Sequence, residues 1–198
     1  MSYWLRIKPV QRARAVSADA IARHAVALLD EHGIDALSLR TVAGRLGVAP
    51  ASLYSRLDGV DDILDLALDH ALDLASPEGS TTGHIDLLTA YYEHLLAHPW
   101  TVRVTARRPP RGPAHLRLSE ALCRRLQADG VTDVLTTAYA MSNFVIGCAT
   151  TAQAAAREPH TRANPSTAPL YEQLRAIYEH GPHHVVTAGL VALRRMAT

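Results

Sequence analysis

The chain has few of the residues that build disulfide frameworks, metal clusters or β-sheets. Only two of its 198 residues are cysteines, and 5% are aromatic. Cys123 and Cys148 do not form a CxxC pair and each lies in an apolar, helix-like stretch, so we expect two buried free thiols. Alanine, leucine and arginine are plentiful, and no segment has a strand-like run of Val, Ile and Thr. The composition predicts an all-α protein.

Long apolar segments are also missing. No run of about 18 apolar residues is present to span a bilayer, and residues 1–11 lack the apolar core of a signal peptide. We therefore expect no membrane span and a cytoplasmic location. The 48% hydrophobic content is nevertheless enough to form a core, in one compact domain or two small ones.

Motifs for catalysis are absent as well. The sequence has no GxSxG, no phosphate-binding glycine loop and no HExxH. His94 and His98 lie one helical turn apart, and His180, His183 and His184 form a second group. Neither group is accompanied by paired cysteines or a second cluster of ligands, so we expect no enzyme, no bound metal and no cofactor.

The most informative stretch is Ser38 to Leu57, with the sequence SLRTVAGRLGVAPASLYSRL. It contains two short segments with apolar residues at helical spacing, separated by Gly47. Ser38 is a suitable N-cap for the first segment, and Pro50 can begin the second. The pattern predicts a helix-turn-helix, a motif that places its second helix in the major groove of DNA.

Charge is distributed unevenly along the chain. Residues 1–57 contain eight basic and four acidic side chains, whereas residues 58–198 contain twelve basic and fifteen acidic ones. A basic N-terminal quarter is typical of a DNA-binding region. Residues 1–16 are basic and lack an apolar pattern, so we expect an arm without stable structure, either contacting phosphates or solubilising the chain. A helix is predicted from Ser17 to Gly33.

The run LLDEHGIDALSLRTVAGRLGVAPASLYSRL resembles the N-terminal domain of the tetracycline-repressor (TetR) family of bacterial transcription factors. The resemblance rests on a helix ending at Gly33, the apolar link Ile34 to Leu37, the LGV turn at Leu46 to Val48, and the pair Leu53-Tyr54. It implies three parts: a basic arm at 1–16, a three-helix DNA-binding domain at 17–60, and a helical effector-binding and dimerisation domain at 61–198.

The resemblance also assigns residues to DNA. Arg40 is the best candidate for reading a base, because its guanidinium can donate two hydrogen bonds to guanine. For Arg40 and Arg45, a solvated helix surface is the alternative. The full predicted set comprises Arg40, Thr41, Arg45, Ala49, Pro50, Ala51, Ser52, Tyr54, Ser55 and Arg56.

The next helix, predicted at about 61–75, departs from the family pattern. Many relatives have a lysine at its start, whereas this chain has DGVDDILD at 58–65. These acids would repel phosphate if they faced it, or they would cap the helix, whose N-terminus favours negative charge. Further along, aspartates repeat every four residues, and we expect them to form a solvated face: Asp61, Asp65, Asp69 and Asp73.

The remainder of the chain is predicted to be helical at about 84–97, 100–107, 114–129, 132–157, 170–180 and 182–197. Two of these segments, 132–157 and 182–197, are apolar on most sides and need a cover. By the resemblance they form a four-helix homodimer interface. Two-fold symmetry would then present two recognition helices about 34 Å apart to a palindromic operator.

The C-terminal part is similar to the tetracycline-repressor branch in Arg108-Pro109, the run at 140–148 and APLYEQLRAIYEHG. That branch binds its drug through magnesium, but its ligand positions fall here near Val104 and Thr150 or Thr151, so a magnesium–tetracycline effector is not expected. We expect an apolar or aromatic effector instead. For each predicted lining residue, core packing is the alternative: Tyr91, His94, Leu95, Trp100, Arg108, Leu116, Glu120, Tyr139, Met141, Asn143 and Phe144.

Two functions of different classes follow from the sequence. The first is a homodimeric transcriptional repressor that a small-molecule effector releases from its operator. The second is a dimeric small-molecule-binding protein whose specific DNA binding is weak or lost, suggested by the missing lysine and the acidic helix. The effector and the operator are not encoded in any motif.

Overall fold

The computed structural model describes residues 2–5, 16–72, 83–155, 166–178 and 181–196. Over these residues the chain is all-helical and has no strand, which confirms the predicted class. The chain divides into two compact units, residues 1–81 with 97–124 and residues 82–96 with 125–198. We call them the first unit and the second unit. The domain boundaries expected at residues 16 and 60 stay predictions.

Nine α-helices lie within the described residues, and their bounds follow the sequence pattern closely. The structure adds short 3₁₀ turns at Tyr3–Leu5, Ile34–Ala36 and Pro50–Ser52. The helices are α1 (Ala18–His32), α2 (Leu39–Arg45), α3 (Val60–Ala71), α4 (His84–Ala97), α5 (Trp100–Thr105), α6 (Pro113–Ala128), α7 (Val134–Ala155), α8 (Pro169–Ala176) and α9 (Pro182–Met196).

Helix α1 begins and ends where its sequence signals predict. The Ser17 hydroxyl oxygen accepts a hydrogen bond from the Ala20 N–H at 3.0 Å, which is an N-cap interaction. Gly33 ends the helix with φ of 75°, a conformation that a residue with a Cβ rarely adopts. The apolar side of α1, which includes the fully buried Ile21 and Ala25, packs in the same unit as α3.

Helix α2 has the predicted N-cap, but the segment after the turn is not the α-helix that we expected. Ser38 and Thr41 form a capping box at the start of α2. After Gly47, Pro50–Ser52 is a 3₁₀ turn, and the Arg56 N–H bonds to the Leu53 carbonyl at 3.0 Å. The Ser55 hydroxyl donates to the Ser52 carbonyl at 2.9 Å. Apolar spacing over so short a segment does not distinguish a 3₁₀ turn from an α-helix.

The start of the chain is ordered, contrary to expectation. Tyr3–Leu5 forms a 3₁₀ turn against α3, and Tyr3 is buried. The expected lack of stable structure is therefore wrong for residues 2–5, while residues 6–15 lie outside the described part. Burial of the Tyr3 ring supplies the apolar contact that the charge count of this segment did not suggest.

In the second unit, α7 packs against α9 around a core that contains Met141, Val145 and Leu190. The two helices approach closely at Gly189, where a Cβ atom would lie 2.1 Å from Cζ of Phe144. Both cysteines are free, but they are half-buried rather than buried as expected. None of the described helices combines the length and apolar character needed to cross a membrane.

Candidate DNA interface and the acids behind it

Most side chains predicted to contact DNA are exposed. Two buried residues, Leu53 and Leu57, anchor the segment that follows the turn, and Gly47 shapes the turn itself with φ of 66°. Arg40 lies on the first turn of α2 with its side chain exposed. The exposed members of the predicted set are Arg40, Thr41, Ala49, Pro50, Ala51, Ser52, Tyr54 and Ser55. Their contacts with DNA stay predictions.

Three of the predicted DNA contacts also have structural partners. Arg45 forms a two-pronged ion pair with Glu31 of α1, and its hydrogen bonds hold the pKa of that carboxyl below its ordinary value. The Arg56 Nε donates to the Val16 carbonyl at 2.9 Å. The Thr41 hydroxyl belongs to the capping box of α2. Because these three side chains bond to other groups of the protein, Arg40 is the clearer candidate for base recognition.

The acids at the start of α3 are engaged by the protein. Asp62 is buried, and its Oδ2 accepts the Asp58 N–H at 2.7 Å. The Asp62 side chain thus bonds to the loop that precedes α3, and the N-cap Gly59 has no side-chain cap. Asp61 is exposed but its Oδ2 lies 2.5 Å from Nη1 of Arg108. The pairing reduces the negative charge that this helix start can direct at a phosphate.

Asp65 overturns the expectation of a solvated acidic face. Its Oδ2 accepts hydrogen bonds from the Ser2 hydroxyl and the Tyr3 N–H, both at 2.8 Å. The Arg108 Nε donates to its Oδ1 at 2.9 Å, and Nη2 donates to Oδ2 at 3.1 Å. Burial raises the pKa of Asp65, but these bonds outweigh burial and hold it below the ordinary value. Asp65 therefore joins the chain start to the α5–α6 connection.

Asp69 is also buried rather than solvated, and it caps a helix from outside. Its Oδ1 accepts the N–H groups of Ala114 at 2.9 Å and His115 at 3.2 Å, which lie in the first turn of α6. Gly112 makes the approach possible, since a Cβ there would lie 2.1 Å from that oxygen. The fourth predicted member of the stripe, Asp73, lies outside the described residues. A repeat of four could not show which partners would surround the carboxylates.

The residues predicted to line an effector pocket are divided between the two units. In the first unit, the Trp100 Nε1 donates to Asp30 at 2.7 Å, and Arg108 binds the α3 acids. On α6, Leu116 and Glu120 are exposed. Trp100 and Arg108 thus have structural roles that the sequence did not indicate.

In the second unit, Tyr91, Leu95 and Met141 are buried, His94 is half-buried, and Phe144 packs on Gly189. Burial raises the pKa of Tyr91 to about 12. Tyr139 and Asn143 are exposed on α7. Their roles in ligand binding stay predictions.

A cavity in the second unit was not anticipated from the sequence. It has a volume of about 290 Å³ and is lined by Tyr92, Cys148, Thr151, Ala152, Tyr178, Gly181, Pro182 and Val185. None of these residues belongs to the predicted set, although Tyr92 follows Tyr91. Their separation in sequence hid the site, since only packing brings α4, α7 and the start of α9 together. Among the described residues, no group of three or more His, Cys, Asp or Glu could hold a metal ion.

The capped α2 helix, the glycine turn and the exposed segment after it define a helix-turn-helix transcriptional regulator. Residues 21–65 match the family described as "Bacterial regulatory proteins, tetR family". Residues 86–191 match "Tetracyclin repressor-like, C-terminal domain". The chain belongs to the TetR family, whose members are DNA-binding regulators rather than enzymes, and the resemblance found in the sequence is confirmed.

Two curated relatives share part of this sequence. A protein named "HTH-type transcriptional regulator" from Saccharopolyspora erythraea is 37% identical over 152 residues, covering 73% of this chain and 64% of its own. The "HTH-type transcriptional repressor DrrR1" of Streptomyces coeruleorubidus is 30% identical over 139 residues, covering 66% and 52% respectively. The match thus spans less than two thirds of the length of either relative.

Solved structures share the fold over nearly the whole chain. A possible TetR family transcriptional regulator from Streptomyces coelicolor A3(2) has a TM-score of 0.76 at 25% identity, covering 91% of this chain and 98% of that one. ActR from the same species, solved in complex with actinorhodin, has a TM-score of 0.69 at 25% identity, with coverage of 89% and 97%.

Proposed function

We propose that this protein is a homodimeric repressor that binds a palindromic operator and is released from it by a small-molecule effector. The observation that carries the proposal is the exposed helix-turn-helix surface around Arg40, behind which Asp61, Asp62 and Asp65 are paired or bonded within the protein. A cytoplasmic location, where the operator would be found, is part of the proposal. The named repressor among the relatives supports it, and so does the ActR complex.

Homodimerisation is proposed through α7 and α9. Helix α7 contains no Asp, Glu, Lys or Arg, yet several large apolar side chains of these two helices face solvent. Leu135 is 58% exposed and Tyr139 64% on α7, while Val185 is 45% exposed and Met196 83% on α9. Large exposed apolar surfaces mark interaction sites, and a second copy of the chain is the partner that would also pair the recognition elements.

The alternative, a small-molecule-binding protein with weak or lost specific DNA binding, depended on the acidic helix α3. Asp65 and Asp69 are buried and hydrogen-bonded within the first unit, and Asp62 is buried and accepts the Asp58 N–H. The feature that suggested lost DNA affinity therefore has a structural explanation. The missing lysine at this helix start is what remains in favour of the alternative.

A salt titration of binding to the DNA beside the protein's own gene separates the two functions. A repressor should prefer one palindrome, and its affinity should fall steeply as salt rises, because binding releases counterions from phosphates. Binding that shows no specific site at any salt concentration would support the alternative. Release is then tested by adding candidate effectors to the preformed complex, and a complex insensitive to every compound that binds the protein would contradict induction.

Substitution of Arg40 tests base recognition. Arg40→Ala should weaken operator binding by about 1–3 kcal/mol, about 5- to 150-fold, and relax the preference at one base pair. Arg23→Ala, on the exposed surface of α1 beside Asp19, is the matched control and should change binding little. If Arg40→Ala weakens binding to all DNA sequences equally, Arg40 contacts a phosphate rather than a base.

The dimer interface is tested by measuring mass in solution with light scattering. Tyr139→Glu and Val185→Glu place charges on the exposed apolar sides of α7 and α9 and should produce monomers. Leu5→Glu, at a residue equally exposed in the first unit, should leave the dimer intact. Monomers should also bind a single half-site more weakly than the dimer binds the palindrome.

A further inference from the structure

The Tyr92 cavity is an apolar hollow within the second unit that is open to solvent, since Tyr178 and Val185 in its wall are exposed. Helix α4 contributes Tyr92, and helix α7 contributes Cys148, Thr151 and Ala152. The other wall residues are Tyr178, Gly181, Pro182 and Val185. No lining residue carries a charge at neutral pH, and the Thr151 hydroxyl already donates to backbone carbonyls of α7. A volume of about 290 Å³ is at the lower end of small-molecule sites. The wall therefore favours a small, flat, uncharged ligand.

Tyr92 gives this wall one specific polar group. Its side chain is completely buried, and its hydroxyl has no hydrogen-bond partner among the described residues. Its ring meets the ring of His183 edge-on, with centroids 5.3 Å apart. A buried hydroxyl without a partner is costly, and nearly all such groups in folded proteins are satisfied. A ligand that accepts a hydrogen bond would satisfy this one.

We propose that the cavity lined by Tyr92, Cys148 and Ala152 binds an uncharged aromatic ligand that carries a carbonyl oxygen, and that the Tyr92 hydroxyl donates a hydrogen bond to this oxygen. Burial raises the pKa of Tyr92, so the hydroxyl keeps its proton and remains a donor at neutral pH. The proposal names the site and ligand class of the effector, and in that respect rests on the proposed function. It differs from the predicted lining, which did not include Tyr92.

A matched pair of ligands tests the hydrogen bond directly. 9-Fluorenone and fluorene have the same three-ring skeleton and differ by the carbonyl oxygen. Equilibrium dialysis against the full chain should show fluorenone bound about 3- to 10-fold more tightly, the range expected for one net hydrogen bond. Tyr92→Phe should remove this difference by weakening fluorenone alone. Tyr171→Phe, on the exposed surface of α8 and outside the cavity wall, should preserve the difference.

Two further measurements separate a binding role from a structural one. Tyr92→Phe removes an unsatisfied hydroxyl, so the urea midpoint of the ligand-free protein should stay the same or rise. Ala152→Leu fills the cavity and should weaken both ligands by at least about tenfold, the loss expected when bulk occupies a small pocket. Tyr92→Phe that unfolds at lower urea would reveal a structural partner for the hydroxyl and overturn the proposal.

Other outcomes are equally decisive. Equal affinity of the wild type for the two ligands, or no binding of either, would overturn the assigned site and ligand class. These experiments contain no DNA, so their result is independent of operator release. If fluorenone binds through Tyr92 while the protein recognises no operator, the cavity assignment stands and the proposed repressor function fails. If the protein recognises an operator but Tyr92→Phe does not change the affinity for fluorenone, the proposed repressor function stands and the cavity assignment fails.

Discussion

The contact between Asp65 and Arg108 should show measurable energetic coupling. Asp65 is buried, with its side chain 5% exposed, and the Arg108 side chain is 17% exposed. Removing one partner of a buried ion pair costs about 3–5 kcal/mol. Asparagine can still accept the Tyr3 N–H, and Asp61 still offers Arg108 a partner. We therefore expect Asp65→Asn to lower the free energy of unfolding by about 2–3 kcal/mol.

The reciprocal change completes a double-mutant cycle. Arg108→Met leaves Asp65 with the bonds from Ser2 and Tyr3, so we expect a loss of about 2 kcal/mol. The double variant should lose less than the two single losses combined, by about 1–2 kcal/mol of coupling. Urea unfolding at one fixed protein concentration measures these values, since association would otherwise shift the apparent stability.

The control is Asp35→Asn, at an exposed acid of the Ile34–Ala36 turn. It should change the free energy of unfolding by less than about 0.5 kcal/mol. If the losses from Asp65→Asn and Arg108→Met add to within about 0.5 kcal/mol, the two side chains do not stabilise each other. The assignment of Asp65 as the joint between α3 and the α5–α6 connection would then be wrong.

The same contact predicts a pH dependence with a definite sign. The pKa of Asp65 is lower in the folded chain than the ordinary value of 3.8. Its contribution is therefore fully present above the ordinary value and is lost as pH falls below it, through the lowered folded pKa. The stability difference between wild type and Asp65→Asn should shrink on acidification through this range. A difference that is unchanged there would contradict the lowered pKa.

Three further predictions concern close packing and burial. Gly189→Ala should lower the free energy of unfolding by about 1–2 kcal/mol, because the new Cβ meets the Phe144 ring. Adding Phe144→Leu to this variant should restore part of the loss. If the losses from the two single substitutions simply add in the double variant, the contact is refuted. Gly112→Ala should displace Asp69 from the start of α6, costing about 1–3 kcal/mol of stability in urea, and a neutral result would contradict the cap. Burial raises the pKa of Tyr91 to about 12 in the folded protein, so the free energy of unfolding should fall as pH rises above the ordinary tyrosine pKa of 10.0. An absorbance titration of the wild type, compared with Tyr91→Phe, measures this ionisation. A Tyr91 that ionises at the ordinary pKa would contradict its burial.

Helix positions were predictable because local signals determine them. Ser17 and Gly33 set the ends of α1, and the helix predicted at 84–97 is found at His84–Ala97. Caps, glycines and apolar periodicity act within a few residues. The segment after Pro50 was predicted less well. There the chain forms a 3₁₀ turn at Pro50–Ser52, and the apolar spacing of so short a segment does not distinguish such a turn from an α-helix.

The acidic residues of α3 show what sequence spacing cannot decide. A repeat of four places aspartates on one side of a helix, but burial depends on what packs there. Arg108 and the start of α6 are about forty residues away in sequence, and they turn a predicted solvated face into a bonded one. The Tyr92 cavity was missed for the same reason, since its wall combines α4, α7 and the start of α9.

The sequence by itself determined the all-α class, the helix ends, the helix-turn-helix and the family, because each depends on neighbouring residues or on a motif read along the chain. Only the tertiary structure decided which acids are buried, that Trp100 and Arg108 bind carboxylates, and where the second unit forms a cavity. Those outcomes depend on desolvation and on pairing between distant segments. The free energy of a charge or a hydroxyl is set by the groups that surround it, and folding selects those groups.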